Sequence, residues 1–234
     1  MNHIAQLKYH PLFYRMNEEE ILKILSCFSF TQKTFTKDEY IFLEGDPVQI
    51  VGIIIHGTVL MEKNDLYGNN YFFTELREHE IFAEPFMDSI IQYSSVNYKA
   101  MSNCSILFFH YKDMWRPCER NCPCHSVFTE NLMNLLAMKS RSLLAKIEIL
   151  SKKALRDRIL TFFHILYHHD HVVGMRNNTA APSVLKENQF FIPYNHTEMA
   201  EYLGVNRSAL VRELKRMKDE NLIDYDKNIY TLLS

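Results

Sequence analysis

Arg207, Ser208, Arg212 and Lys215 are the side chains whose types and spacing are best suited to recognition chemistry. They lie in Thr197-Glu-Met-Ala-Glu-Tyr-Leu-Gly-Val-Asn-Arg-Ser-Ala-Leu-Val-Arg-Glu-Leu-Lys-Arg-Met217, a stretch that predicts two short helices around a tight turn. Met199, Ala200 and Leu203 supply the inward positions of the first helix, and Gly204 ends it by tolerating a left-handed backbone. Val205 is placed to plug the angle between the helices, and Asn206 to cap the second. Leu210, Leu214 and Met217 then form a buried stripe at helical spacing. The opposite face carries Arg207, Ser208, Val211, Arg212 and Lys215. Arg207 and Ser208 stand at the helix N-terminus, the end that a recognition helix presents to base edges in the major groove. Arg212 follows about 1.4 turns later, within reach of a guanine or a phosphate, and Lys215 or Lys218 is placed for phosphate. With Asn206 and Thr197, these residues are the candidate DNA contacts.

A second cluster is Cys118-Glu-Arg-Asn-Cys122-Pro-Cys124-His125. Three thiols and an imidazole have the ligand types and number of a tetrahedral zinc site, and thiolates are favoured near a helix start. Three ligands within seven residues make a tight chelate, however. Structural thiols, a redox switch and a metal site all remain open for Cys118, Cys122 and Cys124. His164, His168, His169 and His171 read more simply as a polar helix end followed by a loop. Five cysteines is an odd number, with three of them crowded together, unlike a secreted disulfide framework, so reduced thiols are expected.

Positioning these groups requires a layered chain. Asn17 and Glu20 resemble an N-cap and its partner, followed by Ile21, Leu22, Ile24, Leu25 and Phe28 at helical spacing. From Thr31 to Phe109 short strands rich in Ile, Val, Phe and Tyr alternate with turns at Gly45-Asp46-Pro47, His56-Gly57, Tyr67-Gly68-Asn69-Asn70 and Glu78-His79-Glu80, predicting a compact barrel or jelly roll. Beyond Pro123 a long helix is expected. Leu136, Leu143 and Leu150 fall seven apart, and Met133, Ser140, Ile147 and Ala154 form a second row, the pattern of a dimer seam. Leu136, Leu143, Ile147 and Leu150 are its candidate contacts. Ser151 is placed to cap a fresh helix near Lys152, making a bend. Leu160, Phe162, Phe163, Ile165 and Leu166 read as domain core. Residues 174 to 188 read as an exposed loop before a strand from Phe190 to Ile192. Leu222 to Leu233 predicts two strands around Asp226-Lys227-Asn228, a wing beside the recognition helix.

The predicted fold class is therefore α+β, in three parts: residues 1–125 a β-roll with an N-terminal helix, 126–150 a dimerisation helix, and 151–234 a winged helix-turn-helix. A chain of 234 residues with 47% hydrophobic composition buries substantial cores. Its longest apolar runs are too short to span a bilayer, and Met1 to Gln6 lacks a signal-peptide pattern, so a cytoplasmic protein is expected. The net charge of -2 hides an asymmetry: eleven Lys and Arg stand against sixteen Asp and Glu in residues 1–125, and fifteen against twelve in 126–234. Any surface for a polyanion lies in the second half.

The order of helix, turn, helix and wing resembles the Crp/Fnr family of bacterial transcription regulators, of the cyclic-AMP receptor type, over nearly the whole chain. Ala200-Glu-Tyr-Leu-Gly-Val-Asn-Arg-Ser-Ala-Leu-Val-Arg-Glu-Leu is similar to the family's recognition unit, with Arg207 and Arg212 at its two DNA-contacting arginines. Ser208 stands where many members carry a base-reading glutamate, so the usual half-site does not carry over. Phe42-Leu-Glu-Gly45-Asp-Pro, Ile55-His-Gly57-Thr-Val and Tyr67-Gly68-Asn resemble the glycine-spaced roll. Ile81-Phe-Ala-Glu84-Pro-Phe-Met resembles the phosphate-binding cassette, with Glu84 at the ribose-binding position and Ala83 replacing a glycine. His79 also stands where relatives commonly have a turn glycine. Ser94 and Ser95 occupy the place of the phosphate-gripping arginine and its neighbouring hydroxyl, so the strongest charge-assisted contact is missing.

The resemblance implies a homodimeric one-component regulator, not an enzyme, binding a near-palindromic operator in double-stranded DNA and working with RNA polymerase. An unidentified small-molecule effector other than cyclic AMP is expected at Glu84, Ala83, Ser94 and Ser95. No residue pattern identifies a cofactor. The alternative is a cupin-type metal-dependent enzyme with an appended helical domain, which needs histidines converging inside the roll. His56, His79 and His110 are the available ones.

Overall fold

The computed structural model describes residues 7–64, 67, 70–86, 93–115, 122–168, 184–186, 188–192 and 194–233. The chain divides into two compact units, residues 1–135 and 136–234.

In the first unit, helix α1 (Glu18–Cys27) opens with the expected capping box: the Glu20 amide donates to the Asn17 side chain at 3.0 Å, and the Asn17 amide donates to the Glu20 carboxylate at 2.9 Å. Eight strands follow: β1 (Thr31–Phe35), β2 (Tyr40–Phe42), β3 (Ile50–His56), β4 (Val59–Asn64), β5 (Asn70–Leu76), β6 (Ile81–Phe82), β7 (Asn97–Ala100) and β8 (Cys104–His110). They make two four-stranded sheets, ordered β1-β8-β3-β6 and β2-β7-β4-β5, with every pairing antiparallel. Gly68 and Asn69 of the expected β4–β5 turn lie outside the described residues.

Ile54, Phe82, Ile106 and Phe108 from one sheet meet Val59, Tyr98 and Ala100 from the other, filling the space between them. Gly52 is required at one point of this packing: a Cβ there would come 2.3 Å from the Phe82 ring. The run Ile50–Ile55 shows no clean alternation because both faces of β3 are covered. Ile54 points into the roll, while Val51, Ile53 and Ile55 are also buried. On β8, Phe109 packs against Phe30 and Phe128.

Helix α2 (Pro123–Ser151) is continuous over 29 residues. Its first part belongs to the first unit, where buried Asn131 donates to the carbonyls of Leu12 and Tyr14 at 3.0 and 2.8 Å. Ser151 does not cap a new helix. Its Oγ donates to the Glu148 carbonyl at 2.7 Å, the kind of local bond that ends the helix it belongs to, and the next helix, α3 (Leu155–His168), starts four residues later.

In the second unit, α3 is followed by β9 (Val184–Lys186), β10 (Gln189–Phe191), α4 (His196–Leu203), α5 (Arg207–Asp219), β11 (Ile223–Asp226) and β12 (Ile229–Leu232), with the sheet ordered β11-β12-β10-β9. Strand β9 corrects the expectation of an unbroken loop to Asn188: three residues paired at the sheet edge are too short to give a periodic signal. Residues 169–183, including His169, His171 and most of that expected loop, lie outside the described residues. Ile159, Phe162, Phe163, Phe190, Met199, Leu203, Leu210, Leu214, Met217 and Tyr230 form one core with Ala145 and Ile149 of α2. Among the described residues, no helix is long and apolar enough to cross a membrane.

Candidate functional site

Helices α4 and α5 meet at Gly204, whose φ of 65° and ψ of 41° are left-handed. Its amide donates to the carbonyls of Ala200 and Glu201, and the Val205 amide donates to Ala200 at 2.9 Å. Two turns of chain are thereby closed within a few residues. The first of these helices is capped by Asn195, whose side chain accepts from the Thr197 and Glu198 amides and whose own amide donates to the Glu198 carboxylate at 2.9 Å. The sequence signal for this cap is Asn195 three residues before Glu198. Asn206 occupies the N-cap position of α5, but its side chain makes no capping bond, contrary to expectation. Its carbonyl accepts the Ala209 and Leu210 amides instead, leaving the side chain exposed at the helix start.

The faces of α5 separate as the spacing predicts. Leu210, Leu214 and Met217 are fully buried, whereas Arg207, Ser208, Arg212, Lys215 and Arg216 are exposed and Val211 is half-buried between them. Thr197 is exposed at the start of α4. Arg212 lies back along its own helix, with Nε donating to the Ser208 carbonyl at 3.2 Å.

Carboxylates that would weaken this cationic face are engaged elsewhere. Glu213 accepts Arg156 Nε of α3 at 2.7 Å and also faces Arg216 at 3.5 Å, while Glu220 accepts two further bonds from the same Arg156 guanidinium. These bonds hold the Glu220 carboxyl below the usual carboxylate range. Arg156 lies 57 and 64 residues from its partners, so no local spacing could have revealed it.

Lys218 is exposed and is also engaged by the wing. Its Nζ pairs with Asp224 at 2.6 Å, donates to the Tyr225 carbonyl at 3.2 Å and lies 4.9 Å from the Tyr225 ring centre. It therefore fastens α5 to the wing, because the β11–β12 hairpin brings an acidic and an aromatic residue beneath it. The hairpin pairs Asp226 with Ile229 and turns through Lys227 at a φ of 53°. Lys215 remains exposed on α5.

In the roll, Ala83 is buried with a φ of 65°, the backbone conformation for which glycine is ordinarily chosen. His79 has the same left-handed form, with a φ of 68°. Ser94 is buried, and its hydroxyl is satisfied locally: it donates to the Val96 carbonyl at 2.5 Å and accepts the Val96 amide at 3.4 Å. Ser95 is exposed, and its carbonyl accepts Lys63 Nζ at 3.2 Å, an ammonium already paired with Glu44 at 2.8 Å. Tyr98, almost fully buried, reaches the backbone amide of Ala83 and lies near Glu84; burial first, then the Glu84 charge, pushes its phenol well above the ordinary range. Tyr98 was not among the expected pocket residues, because an aromatic in a strand reads as core. Residues 87–92, beside these positions, lie outside the described residues.

The expected dimer seam presents Leu143 and Ile147 at 63% exposure each and Leu150 at 39%, with Leu144 and Met133 also exposed; Leu136 is half-buried. Cys122 and Cys124 are at the start of α2, and Cys118 lies outside the described residues. His164 is exposed, as a polar helix face should be.

A family model for the cyclic nucleotide-binding domain matches residues 32–121, and one for the Crp-like helix-turn-helix domain matches residues 162–234. Among solved structures, the catabolite activator protein of Thermus thermophilus is 22% identical over 95% of this chain and 93% of its own, with a TM-score of 0.51. The c-di-GMP-responsive global regulator CLP of Xanthomonas campestris is 15% identical over 93% and 100%, with a TM-score of 0.56. A CooA variant from Carboxydothermus hydrogenoformans is 16% identical over 91% of both chains, also at 0.56. A comparison with curated proteins finds no match. With a roll matching the one model, a helix-turn-helix and wing matching the other, and this order of elements in between, the chain belongs to the Crp/Fnr family of bacterial transcription regulators.

Proposed function

We propose that the protein is a homodimeric one-component regulator that reads a near-palindromic operator with α5, under the control of an effector other than cyclic AMP. The observation that carries this reading is the exposed cationic face of α5, from which Glu213 and Glu220 are drawn aside by Arg156. Arg207 and Ser208 are the base-reading pair at the helix start, with Asn206 beside them. Arg212, Val211 and Lys215 line the groove further along, and Thr197 sits where a neighbouring backbone phosphate would pass. The exposed Leu143, Ile147 and Leu150, with Leu136, supply the seam on which a second copy pairs, since this stripe otherwise stays in water. A cytoplasmic protein acting with RNA polymerase is the setting that follows.

The effector reading rests on Ala83, Glu84, Ser94 and Ser95. An anionic phosphate at this place would meet a serine already bonded to its own backbone, and Tyr98 beside the Ala83 amide. A cyclic nucleotide would therefore lack both the arginine and the open hydroxyl that fix it. Residues 1–125 serve as sensor, 126–150 as dimer helix and 151–234 as DNA reader.

The metalloenzyme alternative is disfavoured by the histidines. His56 and His110 lie at opposite ends of the β3–β8 ladder, and among the described residues no three His, Cys, Asp or Glu side chains are grouped to hold a metal ion. Selection of sites from random duplex DNA by the full-length protein tests the function. A near-palindrome with half-sites about one helical turn apart is expected, and a library that stays unenriched refutes the assignment.

A further inference from the structure

One guanidinium joins the ends of two helices in the C-terminal unit. Arg158 of α3 donates from Nε to the Lys152 carbonyl at 2.9 Å, just past the end of α2, and from Nη1 to the Leu203 carbonyl, the last of α4, at 3.2 Å. The amides of Gly204 and Val205 turn back to Ala200 and Glu201, so the Leu203 carbonyl is open to a partner from outside its helix. A cation at either place also meets the negative end of a helix dipole. The two helices touch directly as well. Ala145 and Ile149 of α2 share one core with Met199 and Leu203, and Lys146 Nζ lies 5.6 Å from the Tyr202 ring centre. A Cβ on Gly204 would stand 3.2 Å from Leu150 Cδ2 and 3.9 Å from Arg158 Nη1. Residues two apart on α3 are separated by about 200° round its axis, so Arg156 reaches α5 while Arg158 reaches the turn before it.

We propose that Arg158 is a positioning residue for DNA reading: it fixes α4 and α5 to the last turns of α2 and so sets the separation of the two recognition helices in a dimer. This rests on the proposed function, in which α2 carries the seam and α5 reads DNA. The break between Ser151 and Leu155 is the place where a reader would swing on its seam, and Arg158 spans that break from the α3 side. Its planar guanidinium carries the donors in a fixed fork, so the two carbonyls it holds cannot turn independently; an ammonium is a point charge on a flexible stem. Leu150 supplies the steric half of the same device, since it belongs to the seam stripe and lies against the α4–α5 turn. Half-sites lie one helical turn apart, so moving one of them by a base pair turns it about 35° round the duplex and shifts it by about 3.4 Å. A reader fixed by Arg158 tolerates that poorly, and a reader free to swing tolerates it well.

The test is the affinity of full-length protein for its selected operator and for two versions with the half-sites one base pair closer and one base pair further apart. Each altered spacing should cost the parent at least what one mismatched base pair costs, about tenfold. Arg158→Met, which keeps the apolar stem, should cut that ratio to a few-fold while single-base discrimination within each half-site stays as in the parent. Taking ratios between spacings cancels the general loss of affinity that follows from removing a positive charge. Arg158→Lys keeps the charge and should fall between the two. An unchanged spacing ratio in Arg158→Met overturns the proposal. So does a ratio that falls only together with base discrimination and the thermal midpoint, which is the mark of a merely structural residue. Should Arg158→Met not fold, an Arg158→Lys protein with parental stability and the parental spacing ratio overturns it equally. A parent that selects no palindrome refutes the underlying function instead, and this inference falls with it.

Discussion

Arg156 and Glu220, 64 residues apart, are joined by two parallel hydrogen bonds of 2.5 and 3.0 Å, while the same guanidinium holds Glu213 of α5 at 2.7 Å. One side chain of α3 thus orients the recognition helix and neutralises two carboxylates that would repel DNA. Arg156→Met should lower the thermal midpoint of the C-terminal domain and weaken binding to every DNA sequence, by several-fold at low salt. Binding isotherms on specific and random duplexes check this, and an unchanged affinity on both would show that the clamp has no electrostatic role.

The same clamp predicts an acid dependence. Glu220 and Asp224 are held below their ordinary values of 4.5 and 3.8, chiefly by hydrogen bonds from Arg156 and Lys218. A carboxyl lowered in the folded state stabilises fully above its unfolded value and loses that contribution as pH falls through the folded value. Stability of the C-terminal domain should therefore decline below about pH 4.5, with Glu220→Gln flattening part of the decline. Melting curves between neutral and acid pH decide it.

Much of this was legible in the residues. The helix-turn-helix showed itself because Gly204, the buried stripe of α5 and the hairpin are all local features, and the roll because its turns recur at short intervals. The tertiary devices were hidden for a physical reason: Arg156 with Glu220 and Tyr98 with Ala83 are each formed by folding, across separations at which no periodicity survives. Lys218 was legible only in part: its place on the polar face of α5 is local, whereas its ion pair with Asp224 and its contact with the Tyr225 ring come from the hairpin.

Ala83 and Gly204 share a left-handed backbone but not a side chain, and opposite substitutions should have opposite effects. Gly204→Ala introduces the left-handed penalty of roughly 1–2 kcal/mol, with its Cβ 3.2 Å from Leu150 Cδ2. Ala83→Gly relieves it, for a gain of up to about 1 kcal/mol once the freer unfolded chain is counted. Denaturant titrations measure both. Neither the parent nor Ala83→Gly should release heat on titration with cyclic AMP, because Ser94 stays bonded to Val96 in each.

Leu143 tests the seam. A side chain 63% exposed in one copy becomes buried when two α2 helices pair, contributing on the order of 1.5–3 kcal/mol per copy, and an aspartate there would bring two like charges together. Leu143→Asp should sediment as a monomer at concentrations where the parent is a dimer, with its fold intact by circular dichroism. Sedimentation as the parent dimer would move the interface elsewhere.

The most direct measurement of the central claim is the affinity of Arg207→Ala for the selected operator and for each single-base variant of it, across a series of salt concentrations. A side chain reading a base edge from the start of α5 predicts a loss of about 1–3 kcal/mol on the operator, relaxed discrimination at one position of each half-site, and a smaller change on random DNA. Lys215→Ala, in contrast, should weaken all sequences alike and lower the salt slope by about one. If Arg207→Ala binds the operator as the parent does, with discrimination unchanged at every position, α5 is not the element that reads DNA.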